Sequence, residues 1–151
     1  MAGGRTKSIW AWLVAGLVAL LLPVGVADAG TVHIKIGNTP AGQLLTNGNG
    51  YVLMMFPREE NSLKLCIRIR LCMSDWPPVT TTGRPLAGPG VDVNLLGTMP
   101  YKGKLLAVTY AGWPLHTYRF AYSAQSSVIN IGIRQFGDQW DALDPAGQLI
   151  S

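Results

Sequence analysis

Past residue 30, wherever this chain is regular, its apolar residues return at every second position, with turn-forming residues between the runs. Val32, Ile34 and Ile36 alternate with Thr31, His33 and Lys35. Leu106, Val108 and Tyr110 alternate with Leu105, Ala107 and Thr109, and Ile129, Ile131 and Ile133 with Asn130, Gly132 and Arg134. A period of two sends successive side chains to opposite faces of an extended strand, whereas a helix needs 3.6. Turn signals separate these runs at Asn47-Gly48-Asn49-Gly50, Lys102-Gly103-Lys104, Ala111-Gly112, Gly137-Asp138 and Pro145-Ala146-Gly147. Segment 79–90, VTTTGRPLAGPG, holds breakers without a period and reads as a long surface loop. No stretch here supports a long amphipathic helix. The pattern predicts an all-β fold: a small antiparallel sheet, a sandwich or a barrel.

The N-terminus has a different character. Arg5 and Lys7 form a positive region, Ile9 to Leu22 is apolar, Pro23 and Gly25 break the segment, and Ala27-Asp28-Ala29 is a small-x-small site. That is the layout of a secretory signal peptide over residues 1–29, with cleavage before Gly30. A retained anchor is the other reading, since the apolar run approaches bilayer-spanning length. No cysteine adjoins the cleavage site to carry a lipid. The expected product is periplasmic or secreted and soluble, one β-rich domain over residues 30–151, with no stable membrane insertion after cleavage. It has ten Lys and Arg against seven Asp and Glu, too small and too dispersed an excess to argue for nucleic acid.

Gly50-Tyr51-Val52-Leu53-Met54-Met55-Phe56 lines up with Gly112-Trp113-Pro114-Leu115-His116-Thr117-Tyr118. Both copies give a turn glycine, an aromatic, a Leu and a second aromatic, so two pseudo-repeated hairpin units are expected, about 30–78 and 91–151, joined by the Pro/Gly/Thr-rich loop. Further strings accompany them: Cys72 followed by Trp76-Pro77-Pro78, Leu96-Gly97-Thr98, Val108 to Leu115, and Trp140 to Gly147. With these strings, nearly all of the chain past residue 29 resembles the secreted-repeat family of unknown function, predicted bacterial envelope lipoproteins with a Y-x-[FWY]-x-x-D motif. In the first unit the motif positions fall on Met54, Phe56 and Glu59; in the second they fall on His116, Tyr118 and Ala121. Met54 and His116 thus replace Tyr, and Ala121 replaces the acid. The absence of a lipid-anchor cysteine is a further departure, so the chain resembles a divergent member.

Cys66 and Cys72 bracket Ile67-Arg68-Ile69-Arg70-Leu71. As one straight strand, six steps of about 3.3 Å would hold the two Cα atoms roughly 20 Å apart, well past the ~7 Å a disulfide tolerates. Strand and disulfide exclude each other. The alternation of Ile67, Ile69 and Leu71 with Arg68 and Arg70 favours the strand; export to an oxidising compartment and the closely spaced cysteine pair of the resembled family favour the bond. We expect the bond, with the five residues bulging as a loop.

Candidate chemistry is sparse. His116, Cys66 and Cys72, with His33 and the methionines, are soft ligand types that would suit copper, but they lack metal-ligand spacing. There is no nucleophile elbow, no phosphate-cradling Gly-rich loop, and no carboxylate spacing that selects an acid and base pair; Glu59-Glu60 reads as a solvated turn. The chain is therefore expected not to be an enzyme and to need no cofactor. The leading expectation is a binding or structural module of the envelope whose ligand surface includes Trp113 and Tyr118 and whose partner is an envelope protein or glycan. The alternative is a copper- or haem-binding redox accessory protein built on His116, Cys66 and Cys72.

Overall fold

The computed structural model describes Met1, Gly3 and residues 31–151. Apart from those first two residues, the expected signal peptide over 1–29 lies outside the described residues. Among the described residues, no helix is long and apolar enough to cross a membrane.

The first alternating run becomes β1 (His33–Thr39), which turns back into β2 (Gly42–Asn47) with Ile36 opposite Leu45. The remaining strands are β3 (Met54–Met55), β4 (Thr80–Thr81), β5 (Leu86–Ala87), β6 (Leu96–Lys102), β7 (Leu105–Tyr110), β8 (Trp113–Pro114), β9 (Arg134–Gln135), β10 (Asp138–Gln139), β11 (Asp141–Leu143) and β12 (Leu149–Ile150). Three short helices complete the order: α1 (Lys64–Arg68), α2 (Cys72–Asp75) and α3 (Ala124–Ser127). The strands form small open sheets, β2-β1-β5, β4-β7-β6 with β8 beside β7, β12-β11-β3 and the β9-β10 hairpin. The fold is thus all-β in the main; no sheet among the described residues closes into a barrel, and β5 lies parallel to β1.

The apolar run 51–56 explains how the sheets are joined. Thr46 bridges to Val52, Met54 to His116, and His116 to Pro78, so the strip at 52–55 and the strip at 115–117 carry backbone hydrogen bonds from one sheet to the next. Both faces of this strip are covered. Leu53 and Met55 point into a core with Ile34, Leu45, Val108, Tyr110, Leu115 and Leu143. Val52, Met54 and Phe56 point into a second core with Leu44, Trp76, Trp140 and both cysteines. A strand buried on both faces reads as a continuous apolar run, not an alternating one. Met54 and Met55 are therefore both buried, each in its own core.

Three other expectations change. The run at 129–133 is not a strand: Ser123 and Ser126 form a reciprocal capping box that starts α3, and a 3₁₀ turn over Val128–Asn130 follows. This leaves Ile129 78% exposed. Segment 79–90 is not a plain loop, because Thr80 and Thr81 pair with Ala107 and Leu106, and Leu86 and Ala87 with His33 and Ile34. Residues 66–72 are neither strand nor bulging loop, but the end of α1, a tight reversal and the start of α2.

Candidate functional site

Helix α1 forms because Leu63 and Cys66, three residues apart, share one buried face, while Lys64, Ile67 and Arg68 lie on the outer one. The chain then reverses at Leu71, whose φ of 70° is in the left-handed region, and α2 buries Cys72 and Trp76 four residues apart. The reversal brings the Cys66 and Cys72 Cα atoms to 5.2 Å, and the two sulfurs are bonded. The disulfide expected from the resemblance is present. Both cysteines are out of solvent.

Behind this ring lies a polar centre in an otherwise apolar core. Glu59 and His116 are each fully buried, so the solvated turn read at Glu59-Glu60 is corrected for its first residue. Pro57 starts a 3₁₀ turn that swings Glu59 inward, where its Oε1 accepts the Cys66 backbone N–H at 2.7 Å. Its Oε2 lies 3.2 Å from His116 Nε2. Neither of these two atoms has another partner, and their contact lacks hydrogen-bond alignment. His116 Nδ1 meets the Trp76 carbonyl at 2.8 Å. Glu59 thereby ties the disulfide ring to His116, and His116 ties both to the start of the Trp-Pro-Pro segment.

The same core holds a column of rings. Phe56 stacks on Trp140 at 4.7 Å and Trp140 on Trp76 at 4.2 Å, and Trp76 meets Tyr118 at a tilt at 4.4 Å; Tyr118 then meets Phe120 edge-on at 5.5 Å. His116 packs edge-on to Trp140. Trp76 Nε1 donates to Gln135 Oε1 at 2.7 Å. Phe56 and Tyr118, which the expected repeat aligns with each other, stand at opposite ends of this column of four rings. Each rests on the Trp from the other half of the chain. Met54 and His116, which the expected repeat aligns with each other, pair antiparallel: each backbone N–H donates to the other's carbonyl, at 2.9 and 2.7 Å.

The other named residues fall elsewhere or serve other ends. Trp113 is half-buried against the first core, and its Nε1 donates to the Pro57 carbonyl at 3.4 Å; it is not one of the stacked rings. Tyr118 is half-buried by Trp76. Trp113 packs on the first core and Tyr118 on the second, and each keeps part of its surface exposed. Of the metal-ligand candidates, Cys66 and Cys72 are bonded to each other and His116 is held by Glu59 and Trp76; among the described residues no three His, Cys, Asp or Glu side chains gather to hold an ion. A groove of about 230 Å³ is lined by Gly37, Thr39, Thr46, Gly50, Ala124 and Val128, none of which belongs to the polar centre.

The outward side of the ring carries apolar side chains that reach solvent. Ile67 and Leu71 are 54% and 55% exposed, and Lys64, Arg68 and Arg70 are exposed beside them. Arg119 fixes a neighbouring segment to it, its N–H donating to the Asp75 carbonyl and its guanidinium to Ser74 Oγ. That segment presents Phe120 at 48% exposure.

Compared with family models, curated proteins and solved structures, the chain matches none. Sequence reasoning missed the burial of Glu59 and its pairing with His116. The one signal in the sequence was the resemblance, which puts both Glu59 and His116 at motif positions. It also missed the outward face of Ile67 and Leu71, because alternation with arginine suggested that they face a core.

Proposed function

We propose that this chain is an exported, non-catalytic module of the bacterial cell envelope that works by binding another envelope component, and that it is a divergent member of the secreted-repeat family. The observation that carries the reading is the ring: a fully buried disulfide backed by a buried Glu–His pair, with apolar and cationic side chains turned outward. A stable protein disulfide belongs to an oxidising compartment, which agrees with the signal-peptide layout of residues 1–29 and a periplasmic or secreted location. Sulfurs out of solvent are poorly placed for thiol exchange, which favours a bracing bond over a redox-active one. Two related units fit the symmetric ring column and the pairing of Met54 with His116. The partner in this reading is an envelope component met by the ring, in place of a glycan on Trp113 and Tyr118.

Sedimentation of the purified protein with isolated bacterial envelopes tests this. The parent chain is expected in the pellet, and the double variant Ile67→Gln/Leu71→Asn in the supernatant. A parent chain that stays in the supernatant at every concentration overturns the binding reading.

A further inference from the structure

The ring carries a combination of features that points to one kind of partner. Three cations, Lys64, Arg68 and Arg70, stand exposed around two exposed apolar side chains, Ile67 and Leu71. The nearest acids in sequence are Glu60 and Asp75, and among the described residues no ion pair joins either to these cations. Such a surface is complementary to a sheet of negative charge with apolar material beneath it. Cations interact with the phosphates, and short apolar tips enter the headgroup boundary.

The backbone adds an independent observation. Leucine avoids the left-handed region because its Cβ crowds the carbonyl, yet Leu71 sits there at φ 70° and projects into solvent. Its carbonyl accepts the Asp75 N–H at 2.9 Å in α2, and the disulfide at the next residue fixes the reversal. A strained apolar residue held outward by a covalent ring is ill suited to mere solubility, which a polar residue or glycine would serve at less strain.

We propose that the Cys66–Cys72 ring is a docking element for the surface of an anionic phospholipid bilayer. The proposal rests on the reading of the chain as an envelope-binding module and names the component that the ring meets. The side chains lie shallow, so contact is peripheral and reversible. Arg68 and Arg70 supply attraction that salt weakens, and Ile67 and Leu71 supply the part that salt leaves in place.

Co-sedimentation with vesicles tests it, using equal parts phosphatidylglycerol and phosphatidylcholine against phosphatidylcholine alone, with the protein as purified from the expressing cell. The parent chain is expected to prefer the anionic vesicles, and Arg68→Gln/Arg70→Gln to lower that partitioning roughly tenfold or more. Leu71→Asn keeps the charge and suits a left-handed backbone; it is expected to lower partitioning several-fold while the fold is kept. Lys102→Gln/Lys104→Gln removes equal charge from the β6–β7 turn and is expected to change partitioning less than twofold. Equal loss from the two charge variants, or no preference for anionic vesicles, overturns the proposal. So does ring-dependent binding to soluble polyglutamate without binding to vesicles, which would make the partner an acidic polypeptide. A chain that pellets with envelopes but ignores the vesicles loses the lipid assignment alone; one that does neither loses the binding reading as well.

Discussion

His116 Nδ1 faces the Trp76 carbonyl, and a carbonyl can only accept, so Nδ1 carries a hydrogen. The opposite nitrogen faces Glu59 Oε2. Each side chain is the other's polar neighbour inside an aromatic core, where a polar group left without a neighbour is costly to bury. Removing one partner strands the other. Glu59→Gln and His116→Phe are each expected to cost about 3 kcal/mol or more in urea unfolding, and the double variant Glu59→Leu/His116→Phe less than the sum. Strict additivity would mean that the pair does not act as a unit.

Tyr110 provides a second residue-scale expectation. Its hydroxyl donates to the Pro145 carbonyl at 2.7 Å and accepts the Asp92 N–H at 3.0 Å. Burial first of all raises its pKa; the Asp92 N–H pulls it down, and the Asp92 and Asp144 charges push it up. The unfolded phenol ionises near pH 10, and the folded one holds its proton to higher pH. The contribution is therefore whole below about pH 10 and is lost as pH rises through the folded value. Thermal melts of Tyr110→Phe are expected to show a shallower alkaline decline than the parent, from a lower starting stability. An unchanged alkaline slope would contradict this.

At the scale of elements, the ring is the clearest case. Closing a loop this short stabilises by roughly 2 kcal/mol through chain entropy, so Cys66→Ser/Cys72→Ser is expected to lose about that much in denaturant unfolding, together with the fixed position of Leu71. Arg68→Gln/Arg70→Gln, at exposed positions with no ion pair among the described residues, is expected to change stability by less than about 0.5 kcal/mol. A collapse of folding in that variant would mean that the arginines brace the ring. Hairpin turns were legible in the sequence where local rules suffice: the turn at Gly103 between β6 and β7, the β7–β8 turn, where Gly112 takes a φ of 91°, and the β9–β10 turn at Gly137; the turn from β1 into β2 was not. Elements set by tertiary contacts were not legible. Ile67, Ile69 and Leu71 carry a strand pattern, but the covalent ring and the burial of Cys66, Cys72 and Trp76 impose helical turns. Ile129, Ile131 and Ile133 alternate too, but the Ser123–Ser126 capping box starts a helix just before them. Disulfide and capping geometry override periodicity over such short spans.

For the whole molecule, the central strip at 52–55 and 115–117 separates two cores of different chemistry. One is aliphatic around Ile34, Val108 and Leu143. The other holds the stacked rings, the Glu–His pair and the disulfide, and the outward ring rests on it. Position 116 stood out in the sequence as the odd member of an expected repeat; that it meets Glu59 is a property of the assembled fold, since the two are far apart in sequence. The account depends most on the disulfide being closed in an exported protein. The direct measurement is the intact mass of protein recovered from outside the cytoplasm, with and without reductant. The account predicts a chain beginning at Gly30, two hydrogens lighter than its reduced form and without an adduct. A chain with free thiols, or one retained in the cytoplasm with residues 1–29 intact, would contradict it.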